Sequence, residues 1–174
     1  MKKIMMLMTL ALVLLAGCTP SAQNGYTKED VDAVVAAIKE AYGEDYGPSA
    51  AIPSEMLKEV YGIDMDNVEY FVAEGPEFSL STDMLIVLLA KEGKVDALKA
   101  DLEAYHDYLV NESFQYPMNM AKVQASQVVV EGNMLFLVVL GKYDDRSDIS
   151  EAEALLFAQE QVQIAIDVIA DKLD

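Results

Sequence analysis

The sequence predicts an α+β fold: a single domain on an antiparallel sheet of about four strands, with helices packed on it in the order ββα-ββα. Three observations predict it. Met84 to Ala90 (MLIVLLA) is apolar on both faces, as a central strand is. Val128 to Leu140 places two apolar runs around Gly132-Asn133, which suits a type II′ hairpin turn with glycine at the position needing φ > 0. Elsewhere apolar residues recur every three or four positions, the period of a helix lying on a sheet.

Taken in order, Thr27 with Asp30 three residues on is a helix start, and Val31, Val34, Val35, Ile38 and Tyr42 fall on one face before Gly43 ends it. Gly43 to Pro53 is rich in breakers and reads as a loop, followed by a short helix from Ser54 to about Tyr61-Gly62. Val68 to Ala73 reads as a strand, Glu74 to Ser81 as a turn, and Met84 to Ala90 as the central strand. A helix from about Lys94 to Ser113 carries the stripe Val95, Leu98, Leu102, Tyr105 and Leu109, and Tyr116-Pro117 breaks the pattern. After the hairpin and an acidic loop (Tyr143 to Asp148), Ser150 with Glu153 opens a helix to about Leu173. Its main stripe is Leu155, Ala158, Val162, Ile166, Ile169 and Leu173, while Phe157, Ile164 and Val168 fall on nearly the opposite side. A helix apolar on two sides is either buried between layers or offers a face to a partner, so these three are a candidate partner face.

The first 18 residues say where the chain goes. Lys2 and Lys3 precede an apolar run from Ile4 to Ala16, shorter than the roughly 20 residues a membrane span needs. Leu15-Ala16-Gly17-Cys18 resembles a bacterial lipobox, which implies that residues 1–17 are a signal peptide and that Cys18 is the lipid attachment site, carrying diacylglycerol. Residues 18–26 then form a polar tether and 27–174 the extracytoplasmic domain, held to the cell membrane by two acyl chains. The chain has 12 basic and 30 acidic residues, a net charge of −18, which excludes nucleic acid as a partner. Cys18 is the only cysteine, so the folded part has no disulfide and no thiol chemistry.

Several short motifs occur in a shared order. They are the lipobox, Tyr61-Gly62-Ile63-Asp64 with Val68-Glu69 after it, Ser81-Thr82-Asp83 before an apolar strand, the Leu102/Tyr105 helix, Phe114-Gln115-Tyr116-Pro117, and the Val-rich hairpin. Together they resemble a family of small lipoproteins of Gram-positive bacteria catalogued as domain of unknown function 4358, over most of residues 30–140. Met84 departs from the family pattern, in which an acidic residue often follows the aspartate. The resemblance implies an extracytoplasmic lipidated domain and supplies no activity and no catalytic residues.

No motif names a reaction. Glu103-Ala104-Tyr105-His106 has the E-x-x-H spacing of di-iron bundles, but His106 is the only histidine, so it reads as a boundary residue. The acidic loops Asp64 to Val68 and Asp144 to Asp148 lack the ligand pattern of a calcium loop and read as solvated, so no metal and no cofactor beyond the diacylglycerol is expected. Tyr46, between two glycines, is the aromatic expected to be exposed and a candidate contact residue. The favoured function is a non-enzymatic membrane-anchored lipoprotein that binds a protein or envelope component. A carboxylate-based envelope hydrolase stays open as the alternative, and a solute-binding lipoprotein is disfavoured because it usually needs two lobes. Oligomeric state is not legible at this level.

Overall fold

A computed structural model of the chain describes residues 25–77 and 80–173. The expected signal peptide, Cys18 and most of the expected tether lie outside the described residues. β3 (Met84–Ala90) is the middle of the fold, and all seven of its residues are buried. A strand with no solvent face needs cover on both sides, and the rest of the chain supplies it.

α1 (Lys28–Tyr42) comes first, with the capping box that Thr27 and Asp30 predict: the Thr27 N–H donates to Asp30 Oδ2 at 2.7 Å. A short turn leads to β1 (Ala50–Ala51), then α2 (Ser54–Glu59), β2 (Val68–Gly75) and β3. α3 (Val95–Asn111), α4 (Pro117–Ala125), β4 (Gln127–Glu131), β5 (Met134–Val139) and α5 (Glu151–Leu173) complete the order. Every strand pair is antiparallel, in the order β1-β2-β3-β5-β4.

The α+β class holds, but the sheet has five strands rather than about four. The added strand, β1, is two residues long and sits inside the predicted loop, too short to show any alternation. α4 is a second departure. Pro117 ends the α3 pattern as expected, but it also occupies the first turn of a new helix, where its missing N–H costs nothing.

Alternation along β3 and β5 divides the core in two. Leu85, Val87, Leu89, Met134, Phe136 and Val138 meet α1 and α5 on one face. Ile86, Leu88, Leu135, Leu137 and Val139 meet Leu57 of α2 and Leu98, Leu102 and Leu109 of α3 on the other. The β4–β5 hairpin turns at Gly132 with φ 54°, a left-handed conformation that L side chains resist. Asn133 beside it takes the Tyr26 N–H on Oδ1 at 2.6 Å and donates to the Tyr26 carbonyl at 3.0 Å. Those bonds fix the start of the domain at the hairpin end of the sheet.

Phe136 is fully buried at the centre of one face, so Phe136→Ala should destabilise the domain by about 3–5 kcal/mol. Urea unfolding followed by circular dichroism measures this, and a cost below about 1 kcal/mol would contradict the central placement of the ring.

Candidate functional site

The chain enters β3 through Ser81-Thr82-Asp83. A carboxylate placed just before a wholly apolar strand must find a partner or stay wet. Asp83 finds Lys122, on the inner side of α4, with Nζ–Oδ1 at 2.7 Å and both side chains 4% exposed. Its other oxygen accepts from Ser81 Oγ at 2.6 Å. Gly47 lies directly over the carboxylate: a Cβ there would come within 2.4 Å of Asp83 Cγ, so only glycine allows this approach.

Tyr143, in the loop after β5, closes the other side. Its ring lies 3.7 Å from Lys122 Nζ, and its hydroxyl donates to Asn119 Oδ1 at 3.0 Å. Asn119 in turn donates to the Leu80 carbonyl at 3.1 Å. Desolvation pushes the Lys122 ammonium below the ordinary lysine range, with Asp83 opposing the shift, and pushes the Tyr143 phenol up. Every buried polar side-chain atom among the described residues has a partner. The network is closed and neutral. It joins α4 to the head of the sheet and offers no free nucleophile.

Above this base the surface turns apolar. Phe114 is 86% exposed, Met118 64% and Leu80 59%, and Tyr116 is exposed beside Phe114, whereas the exposed Met120, two positions from Met118 on α4, faces another side beside Val110 and Gln115. Phe114 and Tyr116 meet edge-on at 5.8 Å, and Leu80 is held to α4 through its carbonyl. A pocket of about 170 Å³ opens next to Met118, lined by Pro117, Lys122, Tyr143 and Phe157 among others. Small-molecule sites usually run to about 300 Å³ or more, so this one is sized for a single side chain. A larger hollow of about 670 Å³ lies at the other end of β3, lined by Ala90, Gly93 and the first described residues, Gly25 and Tyr26.

The residues singled out from sequence do not share this site, except for Phe157. It is half-buried, lines the small pocket, and has the Arg146 guanidinium 5.5 Å from its ring. Ile164 and Val168, on the same side of α5, are also half-buried and pack against the core between α1 and α5, so none of the three stands fully exposed. The expectation of an exposed Tyr46 is corrected. The turn after Gly43 folds the ring back, 6.5 Å from Tyr42, where its hydroxyl donates to Glu74 Oε2 at 2.8 Å and Lys39 lies 5.5 Å away. His106 Nε2 lies 2.9 Å from Ser126 Oγ and 3.0 Å from the Ser126 carbonyl, tying α3 to the start of β4.

Asp64 caps its own turn through Asp66 N–H and Asn67 Nδ2, and Asp144 pairs with Arg146. No group of three or more possible metal-ligating side chains occurs among the described residues. The buried pair itself was missed. Ser81-Thr82-Asp83 was visible as a motif, but nothing in the sequence ties Asp83 to a lysine 39 positions away. The one available signal was a lysine on the apolar side of a nine-residue segment.

A family model described as Domain of unknown function (DUF4358) matches residues 41–140, and the chain belongs to that family. The matched range holds β1 to β5, the Asp83–Lys122 pair and the apolar corner, and leaves Tyr143 and α5 outside it. No curated protein and no solved structure matches the chain.

Removing one member of the pair strands a buried charge, so Asp83→Ala should cost about 3–5 kcal/mol in chemical denaturation. Adding Lys122→Met should recover at least half of that loss. A double variant no better than the single would show that the pair is not the source of the cost.

The buried tyrosines set a second expectation. Desolvation raises the phenols of Tyr42, Tyr46 and Tyr105 well above their ordinary value. The unfolded chain therefore loses these protons near pH 10 while the folded chain keeps them, and stability falls as pH rises from there. Lys122 works in the opposite direction below about pH 10.4 but is a single group. Melting temperature should drop above pH 10, less steeply in Tyr105→Phe, and an unchanged slope in that variant would contradict the assignment.

Proposed function

We propose that the chain is a non-enzymatic, membrane-anchored extracytoplasmic lipoprotein, lipidated at Cys18, that binds a protein or an envelope component through the corner formed by Leu80, Phe114, Tyr116 and Met118. The observation that carries this reading is the corner itself. Large apolar side chains stand exposed on a base locked by buried, fully satisfied polar groups. An ordered apolar and aromatic surface beside a side-chain-sized pocket is how binding anchors are built, because little entropy is lost on contact.

The placement supports it. β3 runs from this corner to the end where Gly25 and Tyr26 join, about 20 Å at the rise of a strand. A tether attached there leaves the corner pointing away from the bilayer. No helix among the described residues is long and apolar enough to cross a membrane, so anchoring in this reading rests on Cys18. The hydrolase alternative has less support, because the carboxylate beneath the corner, Asp83, is buried and held in its pair with Lys122.

A photoreactive residue at Met118 in the full-length chain should give a discrete crosslinked species in intact cells. The same residue at Val60, an exposed apolar position just after α2, should not. Cys18→Ala should move the chain out of the membrane fraction as an unprocessed precursor. Equal labelling from Met118 and Val60 would remove the corner as the contact face, and retention of Cys18→Ala in the membrane would remove the lipid anchor.

A further inference from the structure

We propose that the chain pairs with a second copy of itself through the free edge of β4, joining two five-stranded sheets into one. The two edges of the sheet are built differently. β1 is two residues long and lies between Pro48 and Pro53, so almost no backbone there can take a further strand. β4 is five residues long (QVVVE), with three valines at its centre, without proline or lysine, and with an unbroken register. Its one charged residue, Glu131, sits at the end beside the hairpin turn and leaves the three valines open.

Pairing to β5 decides which backbone groups are free. Glu131 and Met134 flank the two-residue turn and form a hydrogen-bonded pair. Glu131, Val129 and Gln127 therefore aim their N–H and C=O groups at β5, and Val128 and Val130 aim theirs outward. β4 is the last strand of the sheet, so no strand meets these groups among the described residues.

The edge is self-complementary. A two-fold axis through Val129 sets Val128 against Val130 of the second copy, twice, and forms four main-chain hydrogen bonds. The same register sets Glu131 against Gln127, so the one charged side chain of the strand meets an amide instead of a like charge. A slip of one residue brings outward groups against inward ones and loses the ladder. The charge of −18 opposes association at long range, but at physiological ionic strength it is screened beyond about 8 Å. The interface is therefore isologous and closed at two copies, because each copy has one such edge.

The pairing has a specific test in the full-length chain. In the proposed register the two Val129 residues face each other as a non-hydrogen-bonded pair about 4.5 Å apart at Cα, within disulfide range. Val129→Cys, oxidised in whichever cell fraction carries the chain, should give a disulfide dimer on a non-reducing gel. Its yield should exceed by about tenfold that of Val128→Cys, whose thiols lie diagonally. The unsubstituted chain, whose only cysteine is Cys18, reports any background. Adding Val130→Pro removes an outward N–H and leaves the bonds to β5, so it should abolish the dimer with little change in melting temperature. Equal crosslinking at 128 and 129, or none above background, would overturn the proposal whether or not the proline variant folds.

Discussion

Everything in this domain follows from a strand with no face toward water. β3 is buried along its whole length, so its side chains must be covered twice, and its backbone must be paired on both edges. β2 and β5 supply the pairing. α1 and α5 cover one face, α2 and α3 the other, and α4 reaches both cores, with Ala125 in the first and Val123 in the second. A chain of this length without disulfides in the folded part has little else to hold it. The packed side chains of β3 and β5 are therefore both the stability of the domain and the platform for its surface.

The Asp83–Lys122 pair does a different job. At 2.7 Å and an effective dielectric of about 20 the Coulomb attraction is of the order of 6 kcal/mol. Burying each ion costs several kcal/mol, so the pair comes close to break-even in net stability. Its contribution is positional. Gly47, Ser81 and Tyr143 close on the same two groups, and Asn119 ties Tyr143 to the Leu80 carbonyl, so that α4 has one seat at the head of the sheet. Phe114, Met118 and Leu80 stand exposed in a fixed arrangement because of what lies beneath them. Apolar side chains left in water cost free energy, and their retention on an ordered base is what a contact surface requires.

Legibility in the sequence followed the strength of local pattern. Continuous apolar runs marked β3 and β5, glycine and asparagine marked their hairpin, and capping residues marked the starts of α1 and α5. β1 was silent because two residues have no period. α4 was masked because Pro117 signals an end and a beginning equally well, and its nine residues carry only a weak apolar stripe. Tyr46 was misplaced for a related reason. Flanking glycines suggest exposure, but the turn they permit folds the ring onto Tyr42 and Glu74. The ion pair was the least legible feature, since it joins two segments that only the folded sheet brings together.

The central claim is that one buried pair holds the apolar corner in place. Amide hydrogen exchange on the full-length chain, with and without Lys122→Met, tests it most directly. Loss of the ammonium should speed exchange together in α4 (Pro117–Ala125) and in the segment from Leu80 to Asp83, while α1 and β2 keep their protection. Exchange that speeds uniformly across the domain, or that leaves α4 unchanged, would contradict the account.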